Sequence, residues 1–432
     1  LSTQEEDDLY PHLNDKNFNI KISNLPEFAA HEYEDKSDDI EVEADRLCNR
    51  PFELKPHQHF VKNFLSMQTP YNTLLLFHGL GSGKTCSAIG VTEEMRDYMK
   101  YTNSNQRTII VASPNVQINF KIQLFDERKL TKKNGMWHLD GCVGNKFLKD
   151  LEHFRLEQLP KENVVKKINN IINKSYLFMG YLEFANYIKK LSTVQYTTKN
   201  SEKLIRYKLK KHFNNRLVVI DEIHNIRISN DNSEVDKKVA LQLQKLVDYT
   251  DNLRLLLLSA TPMYNNYSEI IWLLNLMNLN DNRSAILKSE IFNKDGTFTT
   301  AEDGFEVGKE LLQRKARGYI SFLKGSDPYT FPYRIFPFQF DPKYSIKNTK
   351  AYPIRQFNGK QIIEPLKYVD VFLNDIGEYQ NNVYEYFIEQ VYDYTDEELV
   401  ISENVQTNDE AMSETPDIVP DLAPDLAPDL IE

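Results

Sequence analysis

Short apolar runs alternate with amphipathic stretches between residues 52 and 279. Five runs of four to six residues, rich in Leu, Ile and Val, lie at 73–77, 108–112, 175–179, 217–220 and 253–258. Crowded rather than alternating apolar residues are typical of strands buried on both faces of a parallel sheet. The stretch 233–249 spaces its apolar residues three to four apart, as an amphipathic helix does, at Val235, Val239, Leu243 and Leu246. Strands alternating with helices predict an α/β domain with a mostly parallel, doubly wound sheet.

The segments around this domain follow other patterns. Residues 1–50 are polar and acidic and predict an N-terminal arm, partly ordered around 18–22. The α/β domain then spans 51–280, with basic insertions at about 121–170 and 190–215. Residues 281–392 are rich in Tyr and Phe and predict an irregular extension. In 393–432 prolines recur every four residues among acidic ones, which predicts a disordered tail.

The formal net charge of -11 is a sum over parts of opposite sign. Residues 1–50 carry a net charge of -9 and residues 393–432 one of -13, which leaves +11 for the body of the chain. A basic body suits phosphate ligands or nucleic acid, although the overall charge argues against a simple polyanion binder. We expect the acidic tail either to cover the basic surface in cis or to dock a partner.

The cysteines and the apolar runs restrict the compartment. Three widely spaced cysteines without a CxxC pair fit an intracellular, reducing compartment and exclude a disulfide-rich scaffold or a cysteine zinc site. No apolar run approaches the roughly 18–20 residues of a membrane span. The N-terminus does not resemble a signal peptide and lacks Met, which indicates a processed form or a fragment.

The sharpest motif is a glycine-rich turn between a predicted strand and a predicted helix over 86–99. The chain has 15 glycines, and three of them fall within five residues here. Such a turn aims backbone N–H groups at an anion at the helix N-terminus. We expect Lys84 to reach the β- and γ-phosphates of ATP and Thr85 to hold Mg²⁺. The predicted nucleotide-binding residues here are His78, Gly79, Leu80, Gly81, Ser82, Gly83, Lys84 and Thr85.

The strict phosphate-loop pattern is not met, because His78 replaces its first glycine. The alternative interpretation is a glycine turn followed by an exposed lysine. Upstream, Gln58 precedes an amphipathic helix, and its amide could both donate to and accept from an adenine edge. A solvent-facing glutamine is the alternative there.

A carboxylate pair follows the strand at 217–220. Asp221 would hold Mg²⁺ through water, and Glu222 would orient and deprotonate the attacking water. The alternative is an acidic pair placed at a helix N-terminus because the dipole favours it. The next buried strand ends in Ser259 and Thr261, whose hydroxyls could bond the carboxylates and sense the nucleotide. An ordinary turn is the alternative for these two.

Together the motifs resemble those of superfamily 2 helicase-type ATPases of the DExH type. The matches are a Q motif at Gln58, motif I at 79–85, motif Ia at 111–115, motif II at 221–224 and motif III at 259–261. The segment after motif III is similar to that of Swi/Snf-type ATPases. A closer resemblance is to helicases of large nucleocytoplasmic DNA viruses, which include the small subunit of the poxvirus early transcription factor and the poxvirus nucleoside triphosphatase. It extends to 10–14, 18–22, 318–321 and 328–334.

The resemblance implies a RecA-like fold, ATP and Mg²⁺ as cofactors, and ATP hydrolysis that drives movement along DNA or RNA, with DNA slightly favoured. Lys84, Asp221 and Glu222 would be catalytic, and His224, Ser259 and Thr261 would couple hydrolysis to movement. The positions that this family would use for nucleic acid are Pro114, Asn115, Gly180 and Tyr181. Tyr181 could instead be an aromatic packed under a loop, and the basic insertions could be solvated faces.

One feature of such helicases has no match here. A second RecA-like domain bears a motif similar to QxxGRxxR, and no such motif follows Thr261. We therefore expect the first motor domain alone, without the second RecA-like domain. An alternative function is a nucleotide-binding structural or assembly subunit with little turnover. Protein partners in a transcription or virion complex are expected, and a viral chain would work in the virion and host cytoplasm.

Overall fold

The computed structural model describes residues 9–31, 39–49, 52–193, 200–226, 234–263, 266–301, 304–324, 335–349, 352–355, 360–363 and 370–388. The chain divides into two compact units, Leu1–Pro332 and Tyr333–Glu432. The predicted acidic tail and the segment 328–334 lie outside the described residues. Among the residues that are described, no helix is long and apolar enough to cross a membrane.

The first unit is built on a six-stranded sheet and a small hairpin. The strands, in chain order, are β1 Thr73–His78, β2 Thr108–Val111, β3 Leu130–Lys133, β4 Met136–Leu139, β5 Tyr176–Met179, β6 Leu217–Ile220, β7 Arg254–Ser259 and β8 Ile320–Leu323. The sheet order is β5-β2-β6-β7-β1-β8, and every pairing within it is parallel. Strands β3 and β4 form a separate antiparallel hairpin. All five strands predicted from apolar runs are confirmed.

The helices cover the sheet and connect its strands. They are α1 Phe18–Ser23, α2 Pro26–Ala29, α3 Ile40–Asn49, α4 Pro56–Phe64, α5 Lys84–Tyr101, α6 Pro114–Leu124, α7 Lys146–Lys149, α8 Lys161–Ser175, α9 Tyr181–Leu191, α10 Ser201–Phe213, α11 Glu234–Tyr249, α12 Glu269–Asn280, α13 Lys288–Ile291, α14 Val307–Ala316, α15 Pro337–Phe340 and α16 Ile346–Thr349. The helix predicted over 233–249 is confirmed as α11.

Successive residues of each central strand are buried on opposite faces of the sheet. In β7, Leu256 and Leu258 face one apolar cluster, and Leu255 and Leu257 face the other. The first cluster includes residues of α1, α2, α4, α5, α6 and α8, and the second includes residues of α9–α13. Each fully buried Leu or Ile contributes about 1.5–3 kcal/mol. The doubly wound, mostly parallel α/β fold predicted from the sequence is therefore the observed one.

The N-terminal arm contributes to this core. Phe18 and Ile22 lie on α1, in the part of the arm that was predicted to be ordered, and each is 2% exposed and packs in the first cluster. Phe18 meets Tyr71 edge to face, with ring centroids 5.5 Å apart. The acidic composition of residues 1–50 concealed these apolar anchors, because they are few and widely spaced.

The compact unit continues to Pro332, past the boundary at residue 280 that the sequence predicted. Helix α14 and strand β8 belong to it, and β8 pairs with β1 at the sheet edge. Strand β8 was not predicted, because an edge strand needs no continuous apolar run; Phe322 in it is exposed. The hairpin of β3 and β4 was also missed, since half of its side chains are exposed and only two are buried.

In the second unit the described residues form short elements. Helices α15 and α16 flank a 3₁₀ turn at Pro342–Tyr344, and a helical segment covers 378–388. Ser345 forms an antiparallel bridge with Phe372. Ile346 is its most buried apolar side chain among those described. This part of the predicted aromatic-rich extension therefore has little core of its own.

Cys86 and Cys142, which are 56 positions apart in the sequence, are joined by a disulfide, with their Cα atoms 5.4 Å apart. Cys48 is a free, exposed thiol. The spacing of the three cysteines did not predict this pairing, because only the folded chain brings the loop after β4 close to the start of α5. A single bond of this kind remains compatible with the exclusion of a disulfide-rich scaffold.

A buried arginine supports the amino-terminal edge of the sheet. Arg254, the first residue of β7, is 4% exposed, and its guanidinium donates to the carbonyls of Thr69 and Tyr71 and to Asn72 Oδ1. Burial lowers the pKa of Arg254 to about 10, and the charge of Asp281 opposes this shift. The side chain thereby satisfies the carbonyls of the loop that leads into β1.

We expect Arg254→Met to lower the free energy of unfolding by about 2–4 kcal/mol, because it leaves several buried acceptors without a donor. Urea unfolding followed by circular dichroism measures the change. Arg128→Met is the control, since Arg128 is exposed and should give no resolvable change. Equal stability of the Arg254→Met and Arg128→Met variants would show that the loop does not depend on this guanidinium.

Candidate nucleotide-binding site

The carboxyl ends of the parallel strands place the predicted motifs on one edge of the sheet. Strand β7 lies between β1 and β6, so the phosphate loop after β1 and the carboxylates after β6 flank the end of β7. Ser259 is the last residue of β7 and is fully buried. Residues from three separate motifs thus meet because of the strand order alone.

The phosphate loop depends on two glycines with left-handed backbone. Gly81 has φ +75° and Gly83 has φ +79°, a region that disfavours residues with a Cβ. A Cβ on Gly83 would also lie 2.5 Å from Gln58 Nε2. Ser82 closes the turn by donating its hydroxyl to the Gly79 carbonyl at 2.7 Å, while Leu80 is 76% exposed.

Lys84 lies across this loop. Its Nζ donates to the carbonyl of His78 at 2.8 Å, so the ammonium lies over the turn that the glycines form. Thr85 is half-buried and is the second residue of α5. The N–H of Gly79 donates to the carbonyl of Leu323 at 3.0 Å and is therefore already used by β8. The amides available to an anion are those nearer to α5.

Two side chains at the start of α4 contact backbone carbonyls of the phosphate loop. Gln58 Nε2 donates to the Gly83 carbonyl at 3.1 Å, and its Oε1 accepts the N–H of Lys55 at 2.8 Å. His57 Nε2 lies 3.0 Å from the carbonyl of Ser82. Both ends of the Gln58 amide are thus bonded within the protein, and contact with adenine stays a prediction. The role of His57 was missed, although it adjoins Gln58 at the same helix start.

Strand β8 supports the loop from the other side. His78 Nε2 lies 2.8 Å from the hydroxyl of Ser321. Burial lowers the pKa of His78 to about 4, with smaller contributions from His57 and Lys84, so the ring is neutral near pH 7. A neutral ring places no further positive charge beside Lys84. Ser321 was not predicted as a site residue.

Asp221 is a buried carboxyl directly after β6. Burial is the main cause that raises its pKa to about 6, and the charge of Glu222 acts in the same direction. Its Oδ1 accepts the N–H of Glu222 at 2.9 Å. The nearby charges of Lys84 and His224 lower the pKa without cancelling the shift.

Glu222 has a left-handed backbone, with φ 46° and ψ 55°. For a residue with a side chain this conformation costs of order 1–3 kcal/mol and is concentrated at functional sites. Burial raises the pKa of its carboxyl, and the charge of Lys84 opposes the shift. Its Oε2 is buried and lacks a hydrogen bond in the described part of the chain, although His224 Nδ1 lies 3.2 Å away.

The third motif contacts the second through one hydroxyl. His224 Nδ1 lies 2.9 Å from Ser259 Oγ, and the N–H of Thr261 donates to the same oxygen at 3.0 Å. Ser259 therefore connects the segment after β6 with the segment after β7. The structure brings these predicted coupling residues together.

The carboxylates fit a divalent cation. A buried Asp221 with a raised pKa and a buried Glu222 oxygen that accepts no hydrogen bond from the described residues are both stabilised by a nearby positive charge. Carboxylate and hydroxyl oxygens are the ligands that Mg²⁺ prefers. Lys84, whose charge acts on both carboxyls, is the protein's own cation at this point.

The four predicted nucleic-acid residues are not equivalent. Pro114 and Asn115 are exposed at the start of α6, just beyond the carboxyl end of β2. Gly180 is the N-cap of α9. The hydroxyl of Tyr181 donates to the carbonyl of Asp221 at 2.8 Å, which agrees with an aromatic packed against a neighbouring loop. Tyr181 thus links the end of β5 to the carboxylate segment.

Basic side chains of the insertions make contacts within the protein. Arg128 pairs with Asp126 at 2.8 Å, and Lys132 donates to the carbonyl of Glu157 at 2.7 Å. Lys210 on α10 pairs with Asp251. These residues are partly neutralised or bonded, which favours the interpretation of solvated faces over a continuous track for a strand.

The profile of the SNF2-related domain matches residues 57–315, more than half of the chain. The chain belongs to the SNF2-related family. This SNF2-related region runs from the start of α4 to α14 and contains every motif of the site. The resemblance to helicase-type ATPases is confirmed.

Its similar sequences include viral proteins. A predicted ATP-dependent RNA helicase of Acanthamoeba polyphaga mimivirus is 26% identical over 76% of this chain and 28% of its own length. A predicted helicase of Invertebrate iridescent virus 3 is 26% identical over 73% of this chain and 27% of its own length. An early transcription factor large subunit homologue of African swine fever virus is 25% identical over 65% of this chain and 28% of its own length. The SNF2-related chain thus spans about a quarter of the length of these relatives.

Among solved structures, the SWI2/SNF2 ATPase core of Sulfolobus solfataricus in complex with dsDNA is 17% identical. The match covers 65% of this chain and 46% of that chain, with a TM-score of 0.36. The fold of the SNF2-related chain is established by its own strand order and register.

We expect Asp221→Asn to stabilise the nucleotide-free protein at pH 7.5 by about 1–3 kcal/mol. The pKa of Asp221 is raised in the folded chain, so the folded state loses relative stability as pH rises from about 4 through 6. Asparagine keeps the acceptor for the Glu222 N–H and removes this cost. Unfolding measured at pH 4 and 7.5 should show a benefit only at the higher pH.

The exposed Asp140→Asn is the matched control. A stabilisation of Asp221→Asn that is the same at both pH values would contradict the origin in ionisation.

Proposed function

We propose that this chain binds ATP together with Mg²⁺ and hydrolyses the γ-phosphate to drive movement along nucleic acid. The observation that carries the proposal is the meeting of Lys84 with Asp221 and Glu222 at the end of β7. The charge of Lys84 acts on the pKa of both carboxyls, so the three groups lie within electrostatic reach of one another. A glycine turn, a lysine and a carboxylate pair in this arrangement suit phosphoryl transfer to water.

Each group has a defined part in this chemistry. The backbone N–H groups near Gly83 and the positive end of α5 would bind the phosphates. Lys84 would leave the His78 carbonyl and donate to the β- and γ-phosphate oxygens, where negative charge develops. Gln58 and His57 would keep the loop in place while Lys84 moves, because they bond the carbonyls of Gly83 and Ser82.

Bound Mg²⁺ would neutralise phosphate charge, with Thr85 and Asp221 as the residues that hold it. Glu222 is the proposed general base. Its raised pKa makes it a better proton acceptor than an exposed glutamate, and its Oε2 has capacity to accept a proton from water.

The contact of His224 with Ser259 suggests how hydrolysis is communicated. A change at Glu222 alters its neighbour His224, and the hydroxyl of Ser259 passes that change to Thr261 in the segment after β7. We assign these three residues to coupling rather than to chemistry, since the hydroxyl of Ser259 bonds protein groups.

The proposed track is DNA or RNA, with DNA slightly preferred. Support comes from family membership and from relatives that are named as helicases or an RNA helicase. Pro114 and Asn115 are the most accessible of the predicted contacts. The relative named as an early transcription factor subunit supports protein partners in viral transcription. We propose action in the virion and host cytoplasm.

We expect Glu222→Gln to reduce ATP turnover about 10²–10⁴-fold, because the amide keeps the shape of the side chain but cannot take a proton. The dissociation constant for ATP should change little. Steady-state hydrolysis with and without single- and double-stranded DNA and RNA gives the turnover, and calorimetry gives the affinity. Glu162→Gln on the exposed face of α8 is the control.

Turnover of the unchanged chain should rise when nucleic acid is added. Tight binding of ATP without turnover under any of these conditions would contradict the motor and favour a nucleotide-binding assembly subunit. Turnover that survives Glu222→Gln would contradict the assignment of the base.

A further inference from the structure

The disulfide lies at the phosphate loop. Cys86 directly follows Thr85 in the first turn of α5, and Cys142 lies in the loop between β4 and α7 of the basic insertion. Cys142 is 8% exposed, whereas Cys86 is half-buried. Neither thiol has a part in the proposed hydrolysis.

Helix α5 is also tied to the insertion further along its length. Lys146 pairs with Asp97 at 2.5 Å, and Asp150 pairs with Lys100 at 2.6 Å and with Arg96. These ion pairs hold the second half of the helix. The disulfide holds its first turn, which contains Thr85 and the N–H groups of the predicted phosphate site. Oxidation therefore decides whether the nucleotide end of α5 is covalently fixed to the insertion.

We propose that Cys86 and Cys142 form a reversible redox pair that raises nucleotide affinity when oxidised. This inference rests on the proposed function, since it concerns the same nucleotide site. Fixing the first turn of α5 in the binding geometry lowers the ordering cost that a nucleotide would otherwise meet. Thermodynamic reciprocity then requires bound nucleotide to favour the disulfide by the same factor.

The oxidant is a small-molecule disulfide such as oxidised glutathione. The thiolate of Cys86, the more accessible of the two and at a helix N-terminus that favours an anion, attacks one glutathione sulfur. The glutathione S–S bond breaks, a mixed disulfide forms and one glutathione thiolate leaves. The thiolate of Cys142 then attacks the Cys86 sulfur and releases the second glutathione thiolate. The two thiol protons pass to these thiolates, and two electrons pass from the protein to glutathione.

The test equilibrates the full chain in buffers of defined reduced-to-oxidised glutathione ratio, with and without MgADP. Alkylation followed by intact mass measures the disulfide fraction, and calorimetry measures the dissociation constant for MgADP in each form. We expect MgADP to shift the midpoint ratio by about fivefold or more, and the oxidised form to bind MgADP more tightly by the same factor. Cys142→Ser should abolish both effects, and Cys48→Ser should change neither.

The outcomes separate this inference from the function on which it rests. No Cys86–Cys142 disulfide in any buffer, or equal MgADP affinity of the two forms, would overturn the redox pair and leave the nucleotide site intact. Absence of MgADP binding in both forms would overturn the nucleotide site and the coupling together. The disulfide fraction without nucleotide is measured independently in every case.

Discussion

The arrangement of parallel strands buried on both faces is the constraint on which the rest of the molecule depends. Parallel strands need crossover helices, and these helices bury the two apolar clusters that stabilise the sheet. The same topology places the carboxyl ends of the strands at one edge of the sheet, and polar segments follow β1, β6 and β7 there. Lys84, Asp221 and Ser259 meet there although they are distant in sequence. The arrangement of the strands therefore determines both the buried core and the position of the site.

At that edge, two carboxylates occupy unfavourable positions. Asp221 is buried against its tendency to ionise, and Glu222 adopts a backbone conformation that side chains disfavour. The phosphate loop beside them is held by two elements: α4 bonds it through His57 and Gln58, and β8 bonds His78 through Ser321. A site that is costly when empty is suited to a ligand that supplies the missing charge.

Much of the fold could be predicted because the strands that build its centre are apolar throughout, and short runs of this composition are typical of buried parallel strands. The residues of the phosphate loop and of the carboxylate pair could also be predicted. Clustered glycines and paired acidic residues directly after a buried strand destabilise the fold unless they serve a function. The edge strand β8 could not be predicted, because Phe322 faces solvent and Ser321 interrupts the apolar run. His57, Ser321 and the Cys86–Cys142 bond depend on contacts between distant segments, which no local spacing records.

In the proposed function, one edge of the sheet binds magnesium and nucleotide together. A crystal structure with Mg²⁺ and a non-hydrolysable ATP analogue would show this site. We expect phosphates on the amides before α5, Lys84 released from the His78 carbonyl, and Mg²⁺ held by Thr85 and Asp221 with a water beside Glu222. A nucleotide bound elsewhere, or a metal that contacts neither Thr85 nor Asp221, would contradict it.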